Sequence, residues 1–272
     1  MEQYYFLYGL ALIWIVIAVF QDLRTREISN WLNFSLIVFA LGYRGFYSIL
    51  NNDISFFLLG FVGVLLFTAL AYLLYYGRAF AGGDAKLLMG IGGILPFQNA
   101  YDYLILGFGF TLLLFGIGAV YSLLYTLILV NRDRKEFVKE FRKEIMKYRT
   151  YLTVALIAGA IGFVILFSSS YLYGLLFLVL LIILPLLLVY TRVVEKCYMI
   201  KLIDASKLTE GDWLVEDVKL RNNVIRKSVH GLTMKEIELL RKMKKRVLIK
   251  EGIPFSPAFL IALVIMVFFV LA

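Results

Sequence analysis

Phe80-Ala81-Gly82-Gly83-Asp84-Ala85-Lys86 lies between two apolar runs, 54–76 and 87–97, neither of which carries a charged residue. How its aspartate is placed decides the fold. A carboxylate inside hydrocarbon is costly, so a short polar stretch between two such runs reads as a loop at a membrane face. Its natural companion is Asp22 in Gln21-Asp22-Leu23-Arg24, at the end of the first apolar run, 4–20. Two carboxylates at the same ends of neighbouring spans are raw material for acid/base hydrolysis.

Composition supports the membrane reading. Hydrophobic residues make up 62% of the 272 positions and charged residues 17%, whereas soluble domains are about half apolar and about a quarter charged. The expected fold class is an all-α polytopic membrane protein of eight transmembrane helices, with a small cytoplasmic α+β segment near the C-terminus. The single cysteine, Cys197, and single histidine, His230, give neither a disulfide framework nor a cysteine or histidine metal set. No metal and no cofactor is therefore expected.

Taken in order, residues 1–130 form a core of five spans (4–20, 31–50, 54–76, 85–97 and 101–130) that holds both aspartates. The first run lacks a basic leading region and a small-residue cleavage site, which predicts an uncleaved span. The fourth is glycine-rich, with Gly90, Gly92 and Gly93, predicting close helix packing. Residues 131–150 carry eight cations and four acids. There Phe137, Phe141, Ile145 and Tyr148 recur at helical spacing, predicting an amphipathic helix on the membrane surface. Residues 151–190 form a hairpin of two spans joined by Ser168-Ser169-Ser170. Residues 191–253 have the composition of a soluble cap, with a capping box at Thr233–Glu236 opening a short basic helix. Residues 254–272 are the last span.

Charge orients these spans. With the N-terminus outside, the inner segments carry 27 of the 28 lysines and arginines, and the outer ones carry Glu2, Asp53 and Asp102. Such asymmetry follows the positive-inside rule. It accounts for the net charge of +9 without nucleic acid, the cations meeting membrane lipid headgroups instead. It also places Asp22 and Asp84 together on the cytoplasmic side of the cell membrane. Arg44 is the exception inside a span, and Asp53 or Asp102 is its expected partner in a structural role.

If the two aspartates are close, repulsion favours their sharing one proton. One then acts as base towards water while the other polarises a peptide carbonyl. Gly82 and Gly83 allow close approach of a substrate backbone. The same residues also suit a plain turn with a helix N-cap, and Asp22 beside Arg24 suits a solvated charge.

The segment 80–87 resembles the Gly-x-Gly-Asp-x-Lys motif of type IV prepilin peptidases, including the archaeal preflagellin peptidases. Asp22 followed by Arg26-Glu27-Ile28-Ser29-Asn30-Trp31-Leu32 is similar to that family's first-aspartate segment. The resemblance covers residues 1–130, with Ala81 standing where the motif has its first glycine. It implies a membrane aspartyl endopeptidase with Asp22 and Asp84 as the catalytic pair. The substrates it implies are prepilins or preflagellins, whose short basic leader peptides are removed at the cytoplasmic face. Ala81, Gly82, Gly83 and Lys86 would then shape the loop or contact substrate, though Lys86 also suits a headgroup-facing position, and Glu27 would attract the leader's cations or else pair with Arg24 or Arg26. The tail around 252–259 looks like the C-terminal extension of an archaeal subgroup. Two alternatives stand beside this: a polytopic transporter, which the helix-end position of the aspartates disfavours, and a non-catalytic scaffold for pilus assembly. Nothing in the sequence fixes an oligomeric state.

Overall fold

The computed structural model describes residues 2–167, 171–220, 224–228 and 230–271, so the serine linkage at 168–170 lies outside the described residues. The helices are α1 (Tyr5–Thr25), α2 (Asn30–Asn51), α3 (Ile54–Tyr76), α4 (Gly82–Ile94), α5 (Phe108–Arg132), α6 (Arg134–Phe167), α7 (Tyr171–Val194), α8 (Met234–Lys242) and α9 (Ser256–Leu271). The strands are β1 (Ile200–Asp204), β2 (Trp213–Leu214), β3 (Val218–Lys219), β4 (Val224–Ile225) and β5 (Arg246–Lys250). Among the described residues six helices are long and apolar enough to cross a membrane, by length and composition. The other two of the eight expected spans are the 13-residue α4 and the 16-residue α9.

The chain divides into two compact units, Met1–Tyr125 with Gly252–Ala272, and Thr126–Glu251. In the first unit α4 is the most enclosed helix, buried at Asp84, Ala85, Leu87, Leu88 and from Gly90 to Ile94. Its glycines explain how it gets there. A Cβ on Gly92 would collide with the carbonyl oxygen of Gly63 on α3, and one on Gly63 would collide with that of Gly92. Gly90 lies against Leu36 and Gly93 against Ala40 and Val64. Small residues thus let backbones meet where any side chain would hold them apart. At 1.5 Å per residue α4 is about 20 Å long, and it ends inside the protein.

Arg44 resolves that buried end. It is fully buried, and it donates to the carbonyls of Gly93 (2.8 Å) and Leu95 (2.7 Å) at the end of α4 and of Phe56 (2.9 Å) on α3. Its guanidinium also lies over the Phe56 and Tyr4 rings. Gly60 makes the room, since a Cβ there would strike the Arg44 side chain. The partners are therefore two backbone carbonyls at the end of α4 and one in the first turn of α3, rather than Asp53 or Asp102. Those two cap their own turns: Asp53 accepts from Ser55 N (3.1 Å), and Asp102 from Gln98 N (2.7 Å).

In the second unit the charged stretch and the following apolar run form one helix, α6, where a separate surface helix ending near 150 was expected. No glycine or proline interrupts the chain from 134 to 158, and Thr153 Oγ1 bonds back to Arg149 O across the expected break (2.8 Å). The stripe Phe137, Phe141, Ile145 and Tyr148 packs against Val189, Val193 and Val194 of α7. Its apolar face is covered by a neighbouring helix instead of lipid. Glu144 of α6 pairs with Lys196. Beyond α7, β1 and β2 flank β5 in an antiparallel sheet, and β3 pairs with β4. Thr233 and Glu236 form the expected box at the start of α8, with Thr233 N donating to Glu236 Oε2 at 2.8 Å. Ile237 and Leu240 of α8 pack with Leu214, Val247 and Ile249 of the sheet.

Candidate active site

Asp22 lies on the last turn of α1. The buried face of that helix runs Leu7, Ala11, Ile15, Ala18, Asp22, spaced by three or four residues as one helix face requires. The carboxylate therefore continues an apolar stripe inward and is only 6% exposed. Arg26 then ends the helix in the left-handed region (φ 61°), its N–H donating to the Asp22 carbonyl at 2.9 Å. The loop that follows is held by Gln21, whose side-chain oxygen accepts from both the amide and the hydroxyl of Ser29 (3.0 and 2.7 Å).

Asp84 occupies the first turn of α4, 7% exposed. Ala81, the residue before the helix, has no side chain that can cap it, and Asp84 sits in the first turn as a buried carboxylate. Asp22 and Asp84 are both buried at the ends of helices that share one core cluster, to which Ala18 of α1 and Ala85 of α4 belong.

The other sequence candidates divide. Ala81 has φ −72° and ψ 163°, an extended conformation open to any residue, so alanine is unstrained where the motif has glycine. Gly82 has open space: a Cβ there would meet only Tyr75 Cε2, at 3.8 Å. Gly83 is the tight one: a Cβ would lie 3.2 Å from that of Ile28, which follows Asp22 in the chain. Lys86 donates to Asn30 Oδ1 (2.6 Å) and lies over the Phe34 ring, tying α4 to the start of α2. Glu27 is exposed, and its carbonyl accepts from the Thr25 hydroxyl.

Three residues join the site that sequence reasoning missed. Ser256, at the start of α9, donates its amide to Asp22 Oδ2 at 3.1 Å. Asn33 donates to the Gly83 carbonyl at 3.4 Å. Arg26 donates to the Gly252 carbonyl and to Tyr125 Oη, both at 2.8 Å. Phe80 adds an aromatic contact, its ring 5.2 Å from Phe255 and 5.9 Å from Phe259. A signal existed for Asn33, a polar residue among Leu32, Leu36 and Ala40 on the buried side of α2. For Ser256 there was none, because Phe-Ser-Pro reads as an ordinary helix start. Among the described residues no three His, Cys, Asp or Glu side chains converge as a bound metal would need.

Both aspartates, Asn33 and the Ala81–Lys86 turn lie within residues 9–131, which match the model of the type IV leader peptidase family. Residues 9–131 are thus similar to the type IV leader peptidase family. The preflagellin peptidase of Methanocaldococcus jannaschii is 32% identical over 85 residues, 31% of this chain and 36% of its own. The prepilin peptidase EppA of Methanothermobacter thermautotrophicus is 28% identical over 161 residues, 54% of this chain and 42% of its own. A preflagellin peptidase of Methanococcus maripaludis is 34% identical over 89 residues, 30% of this chain and 35% of its own. The chain thus spans about a third to two fifths of these relatives' length. No solved structure matches it. Ser256 and the rest of α9 fall outside the leader-peptidase segment.

Proposed function

We propose that this chain is a membrane aspartyl endopeptidase that removes short basic leader peptides from prepilins or preflagellins. The catalytic pair is Asp22 and Asp84. The observation that carries this is the burial of both carboxylates at the ends of helices that share one core cluster, within the segment that matches the leader-peptidase model. In the working state such a pair holds one proton between its two carboxylates. The ionised member takes a proton from water as the water oxygen bonds to the scissile carbonyl carbon. The protonated member donates to the carbonyl oxygen, which gains the electron pair. Collapse of the tetrahedral intermediate breaks the C–N bond: the proton taken from water passes to the leaving amine, and one hydroxyl of the intermediate returns its proton to the carboxylate that had donated, which re-forms the C=O bond and restores the pair.

The accompanying topology has the N-terminus outside and counts α4 and α9 as crossings. Both aspartates then face the cytoplasm, the side to which this topology assigns 27 of the 28 cations. A substrate would rest its apolar helix in lipid and its basic leader in water, beside the exposed Glu27. Gly83 and Lys86 act through the shape of the turn.

The test is cleavage of a preflagellin bearing its basic leader, co-expressed with the full chain. Asp22→Asn and Asp84→Asn are each expected to abolish processing while the protein still accumulates in the membrane. Wild-type processing by either variant would sink the pair. Cysteines introduced as Glu27→Cys and Tyr101→Cys are expected to react with an impermeant reagent from opposite sides. Labelling from one side overturns the topology.

A further inference from the structure

Three described side chains bury a polar atom without a hydrogen-bond partner: Tyr8, Asn33 and Ser256. Two of them are the residues already bonded to the aspartate segments, Ser256 through its amide to Asp22 and Asn33 through its amide to Gly83. Ser256 is fully buried. A hydroxyl taken out of water with nothing to bond is costly, and such groups in native proteins call for an explanation.

We propose that Ser256 is a positioning residue of the aspartate pair: its amide fixes the Asp22 carboxylate, and its hydroxyl orients the hydrolytic water beside it. This rests on the peptidase reading of that pair. The start of α9 is built for the task. Phe255 precedes the helix and accepts from Ala258 N (3.0 Å), and Pro257 has no N–H. The Ser256 amide is thereby left for Asp22, and the positive end of the helix faces the carboxylate. Three contacts hold that end in place. Arg26 grips the Gly252 carbonyl. Phe255 sits against Gly118 of α5, where a Cβ would collide with its ring. Phe255 and Phe259 both pack on Phe80, at the head of the Asp84 turn. A water that gives one proton to Asp22 and the other to Ser256 Oγ keeps a lone pair free for the scissile carbonyl carbon. The helix outside the leader-peptidase segment therefore completes the catalytic centre.

Three variants of the full chain in membranes, assayed on the same preflagellin, test this. Ser256→Ala keeps the amide and loses the hydroxyl; kcat is expected to fall about tenfold with KM within about twofold. Ser256→Thr restores the hydroxyl and most of the rate. Ser256→Pro suits the first helical position yet removes the N–H; kcat is expected to fall about a hundredfold, since a hydrogen bond to a charged group is lost as well. If the proline variant does not accumulate, the alanine and threonine pair decides. Wild-type kcat in Ser256→Ala, or a loss that threonine does not restore, overturns the role of Ser256. Should Asp22→Asn and Asp84→Asn abolish cleavage in that case, the peptidase reading stands without it. Cleavage by either aspartate variant at the wild-type rate overturns that reading instead.

Discussion

The carboxylate of Asp22 accepts a hydrogen bond from the backbone amide of Ser256, 234 positions further along the chain. One end of the molecule thus fixes the orientation of a buried acid supplied by the other. The contact, together with the Arg26 grip on Gly252, makes the last helix part of the site.

On the proposed reading the two aspartates act as one unit, so their substitutions are expected to be non-additive. Each single asparagine variant should lower kcat by about a thousandfold or more, and the double variant should be no worse than either. Single-turnover cleavage of a preflagellin measures this. A double variant slower by the product of the two effects would show independent roles.

Ala81 offers a test of the motif's missing glycine. Its backbone is extended, with φ −72°, so nothing there demands glycine. Ala81→Gly should leave cleavage unchanged and lower stability by about 0.4–1 kcal/mol through the looser unfolded chain. A large gain in kcat would mean that the methyl group obstructs the substrate.

The glycines of α4 differ in their constraints. Gly82→Ala meets only Tyr75 Cε2, at 3.8 Å, and should change stability by about 0.5 kcal/mol or less. Gly92→Ala drives a methyl into the Gly63 carbonyl and should cost about 3 kcal/mol or prevent accumulation. Thermal inactivation of the two variants in detergent compares them. Equal midpoints would contradict the backbone contact between α3 and α4.

Among the described residues Arg44 holds three carbonyls and two aromatic rings and no acidic partner. Arg44→Met removes three hydrogen bonds from a charged donor, at about 1.5–3 kcal/mol each, and frees the end of the helix that carries Asp84 at its other end. Thermal stability and cleavage should fall together, and Arg44→Lys should recover part of both, having fewer donors in a different geometry. An Arg44→Met protein as stable as wild type would remove Arg44 from this role.

Much of the architecture was legible in local sequence. Apolar runs marked the helices, Thr233 and Glu236 announced the start of α8, and Gly90, Gly92 and Gly93 announced a tightly packed α4. The Asp22 and Asp84 segments were recognisable because each is a short contiguous motif. The fate of the stripe on α6 was not legible. Its spacing fits a lipid surface and the flank of α7 equally well, since both are apolar, and only packing shows that Val189, Val193 and Val194 cover it.

What the sequence by itself determined is what neighbouring residues encode: hydropathy over a turn or a span, caps within four residues, and the presence of two aspartates at helix ends. The tertiary structure alone decided which distant groups those ends meet. Arg44 found carbonyls instead of acids because a buried helix stops beside it, and Asp22 found Ser256 because α9 docks against α1. Such partners are chosen by the need to pair buried polar groups once the helices have packed, and no local pattern around Asp22 or Ser256 carries that information.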